Sequence, residues 1–104
     1  MKQEEFDIIL KDRIKKVKKV LGAKAGEYAI GGDRLYNFKR AAEIGRTTPA
    51  KALLGMMMKH VVSVIDLIED PDTVTKERID EKIGDTMNYL ILLETILLED
   101  INGD

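Results

Sequence analysis

The residues of this chain best suited to chemistry are Glu81, Asp85 and Asn88, two carboxylates and an amide separated by four and then three positions. At about 3.6 residues per turn all three share one helix face. They sit among Ile79, Ile83, Met87, Leu90, Leu93 and Leu97, where a charge is costly unless it is paired or metal-bound. Lys59, Ser63, Asp66 and Asp70 form a second polar stripe at the same kind of spacing, one helix earlier. If the two helices pack antiparallel, Asp66 approaches Asp85 or Glu81, with Lys59 farther along the groove. Carboxylate oxygens converging without arginine are the ligand set of Mg²⁺ or Mn²⁺. Magnesium implies phosphates, and Lys59 would bind one as a point charge. The alternative is structural: Glu81 pairs locally with Lys82 or Arg78, while Asp85 and Asn88 satisfy a contact across an oligomer interface.

Asp33 and Asn37, followed by Phe38, repeat the pattern of a carboxylate and an amide four apart. Asp33 reads as a helix cap. Asn37 has less structural excuse, since asparagine is mildly unfavourable inside a helix, and its amide could read a base or ribose edge at a pocket wall. His60, the single histidine, reads as a core or rim residue rather than a catalyst, and Met56, Met57 and Met58 as core filler. The chain contains no phosphate-binding Gly-x-x-x-x-Gly-Lys-Ser/Thr loop and no dinucleotide-binding glycine motif. A helix-turn-helix reading fails because the second helix would be too apolar to read bases.

The elements that position these residues are helices. Phe6, Leu10, Ile14, Val17 and Leu21 recur at spacings of four and three and predict an amphipathic helix from Glu4 to about Ala25. Its opposite face, with Lys11, Arg13, Lys15, Lys16, Lys18 and Lys19, reads as a solvated basic face. Gly26 and the Gly31-Gly32 pair mark a turn before a short helix from Asp33 to about Ile44, with Gly45 as its stop. Thr48 as cap and Pro49 at the first position predict a third helix to about Glu69, closed by Pro71. A fourth starts between Asp72 and Lys76, with Asp72, Thr73 and Thr75 competing as caps, and ends near Glu99. The third helix is apolar on nearly every side, which predicts burial by more than one neighbour. The fourth, at roughly 22 residues, would be about 33 Å long against a radius of gyration of about 13 Å for a compact chain of this size. The expected fold is one all-α domain, residues 1–104, a bundle of four main helices completed by homo-oligomerisation as a dimer or tetramer.

Seventeen basic against nineteen acidic residues give a net charge of −2, which argues against direct nucleic-acid binding. Zero cysteines exclude disulfides, zinc–thiolate sites and a thiol nucleophile. The acidic N-terminus and the lack of a long apolar run point to a cytoplasmic protein without a membrane span.

Four segments, Lys24-Ala-Gly-Glu27-Tyr28, Asp33-Arg-Leu-Tyr-Asn37-Phe38, Gly55-Met-Met-Met-Lys59-His60 and Glu81-Lys-Ile-Gly-Asp85-Thr-Met-Asn88-Tyr89, resemble in order the short, often phage-encoded branch of the MazG-like all-α nucleoside triphosphate pyrophosphohydrolases. The resemblance spans about residues 5 to 98. It implies an oligomeric helical bundle that binds Mg²⁺ and cleaves a nucleoside triphosphate, here a deoxynucleotide, to monophosphate and pyrophosphate. It also implies Glu27 and Asp85 as metal ligands, with Glu81 beside them. Lys24 and Lys82 stand where the superfamily has the first glutamate of each metal motif. Asp66 then serves as a fourth ligand or water-positioning base, Lys59 as phosphate ligand, and Tyr28, Asn37 and Asn88 as pocket wall. The alternative is a non-catalytic nucleotide-binding or structural interaction bundle that docks through its basic first helix.

Overall fold

The computed structural model describes residues 1–22 and 32–103. Among them are four α-helices and no strand: α1 (Gln3–Leu21), α2 (Tyr36–Gly45), α3 (Pro49–Glu69) and α4 (Lys76–Ile101), with a 3₁₀ turn at Pro71–Thr73. The all-α, four-helix architecture is the expected one.

Local chemistry sets the boundaries. The Thr48 hydroxyl accepts from the Lys51 amide at 3.3 Å and Pro49 occupies the first turn of α3, where its missing N–H costs nothing. Thr75 settles the competition at α4 by accepting from the Arg78 amide at 3.1 Å. α1 stops earlier than the periodicity predicts. Gly22 donates to the Lys18 carbonyl while adopting extended backbone, and a Cβ there would collide with that same oxygen. α2 begins later, because Asp33 spends its carboxylate on a turn, accepting from the Leu35 amide at 2.9 Å. α2 ends on Arg46 rather than on a glycine: Arg46 takes the left-handed conformation at φ 52°, and the Thr47 amide closes onto the Ala42 carbonyl at 2.9 Å.

α3 is the hub, packed against both α2 and α4. Leu53 and Ile96 are fully buried at that junction, joined by Leu35, Phe38 and Met57. Phe38 meets Tyr89 edge to face, with ring centroids 6.5 Å apart and planes at 70°. No polar or charged residue is buried in this core. Lys39 clasps its rim, bonding Asp33 at 2.8 Å and Glu99 at 2.7 Å, and so ties α2 to the end of α4.

α1 lies chiefly against α4, and none of its residues is fully buried. The seam is electrostatic. Arg13 donates to the Asp80 carboxylate at 2.7 Å and its backbone carbonyl at 3.3 Å, and Lys16 reaches the same carboxylate oxygen at 2.9 Å. The guanidinium lies over Gly84, where a Cβ would stand 2.7 Å from Nη1. Lys16 and Arg13 hold the Asp80 carboxyl below its ordinary range, with the Lys16 bond the larger cause.

One expectation about packing fails. α3 has two neighbours, as its composition predicts, but both lie on one side. Only Leu53, Met57 and Leu67 are buried, while Leu54, Met58, Val62, Ile65 and Ile68 remain exposed. The extents of 44 × 28 × 24 Å and radius of gyration of 15.9 Å describe an elongated body nearly spanned by α4.

Candidate functional site

Two adjoining hollows line the groove where α1 meets the middle of α4, and they share Val20, Asp85 and Asn88. The larger, about 310 Å³, is walled by Phe38, His60, Tyr89 and Leu92, with Arg34 at its edge. The smaller, about 170 Å³, is charged: Arg13, Lys16, Asp80 and Glu81 surround Gly84. The helical spacing of Glu81, Asp85 and Asn88 accounts for their shared face.

Asp85 is half-exposed, so it avoids the desolvation that its apolar sequence neighbours suggest. Its carboxylate Oδ2 lies 3.6 Å from His60 Nδ1. That separation is beyond a direct hydrogen bond but within reach of a shared ligand or bridging water. The His60 ring lies over Tyr89 at 4.9 Å between centroids, tilted by 31°. Asn88 Oδ1 is buried and has no hydrogen-bond partner among the described residues. Leaving such an oxygen unpaired costs about 1–3 kcal/mol, so the position suits a cation or a donor group from a ligand. Glu81 instead points to solvent and accepts from Lys82 at 3.1 Å, the local pairing that the sequence offered as an alternative.

The remaining sequence candidates are placed elsewhere. Asn37 is exposed because its neighbour Phe38 turns into the core. Lys59 and Asp66 are exposed for the same reason, lying next to His60 and Leu67 on α3, and neither lines the two hollows. Glu27 and Tyr28 lie outside the described residues. Among the described residues no three His, Asp or Glu side chains gather closely enough to hold a metal ion. Asp85 lines both hollows with an accessible carboxylate, an acceptor suited to a divalent cation completed by donors from beyond that set, while the Asn88 oxygen is enclosed beside it.

His60 is the residue that sequence reasoning undervalued. It had a signal: Leu53, Met57, His60, Val64 and Leu67 recur at spacings of four and three, and His60 is the one polar member of that inward row. Arg34 was equally inconspicuous, being an exposed arginine beside a cap.

No family model, curated protein or solved structure matches this chain. No described helix is long and apolar enough to cross a membrane.

Proposed function

We propose that the paired hollows bind a nucleoside triphosphate, a deoxynucleotide by the family resemblance, and that the protein hydrolyses it to a monophosphate and pyrophosphate. The observation that carries this reading is the convergence of Asp85, His60 and Asn88 on a space walled by aromatic rings. The motif resemblance to MazG-like pyrophosphohydrolases, carried by several of the same residues, points the same way. Tyr89 and Phe38 offer apolar surface to a base, and Asn88 an amide to its edge. Arg13 and Lys16 face the charged hollow, where a polyphosphate would compete with Asp80 for them.

Asp85, with Glu81 and Glu27, would hold Mg²⁺ or Mn²⁺, which when bound neutralises phosphate charge and activates water. In the reaction one water oxygen bonds to the α-phosphorus, the bond from that phosphorus to the α–β bridging oxygen breaks, and pyrophosphate leaves with that oxygen. His60, held over Tyr89 and beside Asp85, orients that water. Lys59 and Asp66 have no part in this arrangement, since they line neither hollow.

A second reading, nucleotide binding without hydrolysis, draws on Glu81 being engaged by Lys82. The two separate in one experiment: pyrophosphate release from eight ribo- and deoxynucleoside triphosphates with Mg²⁺ or Mn²⁺, beside binding of the same nucleotides by calorimetry. Hydrolysis is expected for at least one nucleotide and lost by a hundredfold or more in Asp85→Ala, as for removal of a charge that acts on the reacting phosphate. Binding without release establishes the second reading. Full activity in Asp85→Ala overturns the site.

A further inference from the structure

We propose that the exposed face of α3 is the two-fold interface of a homodimer, packed antiparallel against the same face of a second copy. Leu54, Met58, Val62, Ile65 and Ile68 run along this face and are each 43–74% exposed. A monomer of 11.7 kDa ordinarily exposes about 5,900 Å². This chain exposes 7908 Å². The excess of about 2,000 Å² is within what one subunit of a permanent dimer covers, and above the ~800 Å² per partner of a standard interface.

Charge identifies the occupant. The exposed face of α3 carries Lys51 and Lys59 before Val62 and Asp66 and Glu69 after it. None of the four forms an ion pair among the described residues. An antiparallel copy with the two-fold axis at Val62 sets Lys59 within about one residue's rise of the partner's Asp66, on the same side of the apolar row. Lys51 then comes within about one helical turn of the partner's Glu69. The pattern is complementary to itself, as an isologous contact requires. Gly55 lies on this face with nothing within 4 Å of its Cβ position, leaving room for close approach. A parallel copy would oppose lysine to lysine and acid to acid. The apolar groove along the C-terminal half of α4 lacks this property, because Glu94, Glu99 and Asp100 have no basic residue near them in sequence.

This interface gives Lys59 and Asp66 a role that the nucleotide site does not, and it stands apart from any reading of activity. The chain has no cysteine, so single cysteines report on geometry directly. The wild-type protein should sediment at twice its chain mass, and Val62→Glu as a monomer with its helical circular dichroism retained. Under oxidation Val62→Cys forms a disulfide-linked dimer, because residues on the axis meet their own copies within the roughly 7 Å that a disulfide needs between Cα atoms. Leu54→Cys does not. Lys59→Glu and Asp66→Lys each weaken the dimer roughly tenfold, and the double exchange restores it. A monomeric wild-type protein would leave the face to a different partner and overturn the proposal. So would self-linking of Leu54→Cys as readily as Val62→Cys, failure of the double exchange to restore assembly, or a dimer that survives Val62→Glu and dissociates in Leu97→Glu.

Discussion

The two seams of α4 are built on opposite principles. Toward α3 it meets a dry, apolar contact in which Leu53 and Ile96 are fully buried and no charge is enclosed. Toward α1 it meets a wet one, in which a single carboxylate, Asp80, gathers Arg13 and Lys16 and no α1 residue is fully buried. The first seam stabilises the fold, since apolar burial contributes about 25 cal/mol per Å² whatever the salt. The second orients α1, because exposed ion pairs contribute little and are screened within about 8 Å at physiological ionic strength. The hollows lie along the wet seam, where polar groups can remain accessible at small cost.

Leu53→Ala tests the dry seam most severely, with an expected loss of about 2–5 kcal/mol in denaturant unfolding. A loss below about 1 kcal/mol would mean that the junction is not the stabilising centre. Asp80→Asn should act locally: hydrogen exchange quickens along α1 while the α2–α3–α4 amides keep their protection. A global destabilisation matching Leu53→Ala would erase the distinction between the seams.

Acid should follow the same division. Asp80 and Asp33 have folded-state values lowered from 3.8, Asp80 chiefly by its bond to Lys16 and Asp33 chiefly by its bond to Lys39. Their contributions are present above 3.8 and disappear as pH falls through the lower folded values. In a titration below pH 3.8 followed by exchange-resolved spectra, the Asp80 contact should be lost with α1, and that loss should be absent in Asp80→Asn. The smallest expected effect concerns neither seam. Arg46→Gly removes a left-handed non-glycine residue from the end of α2 and should raise stability by up to about 1 kcal/mol, read as a rise in Tm.

Much of the fold was legible because its signals are local. Thr48-Pro49 and Thr75 act through hydrogen bonds within one turn, and α3 and α4 begin where those residues say. The length of α1 was overread because the stop was placed at Gly26, whereas the apolar row ends at Leu21 and the break depends on the backbone at Gly22. The burial of α3 was overread for a different reason: an apolar surface announces that something covers it, but does not say whether that neighbour belongs to the same chain. In the site, spacing was enough to put Glu81, Asp85 and Asn88 on one face. It did not single out His60 over Lys59 and Asp66, because the row of Leu53, Met57, His60, Val64 and Leu67 competes on this helix with an equally apolar row of Leu54, Met58, Val62 and Ile65 that stays exposed.

The Lys39 clasp has a kinetic consequence. It joins α2 to the far end of α4, two segments widely separated in sequence, and it can close only after α4 has docked on α3. The α2–α3 pair, adjacent in the chain, can assemble first, since local contacts cost the least chain entropy. The clasp then belongs to the late side of the barrier. Its removal by Lys39→Ala should leave the folding rate near that of the wild type and speed unfolding, making Lys39 a determinant of how long the assembled bundle lasts rather than how fast it forms.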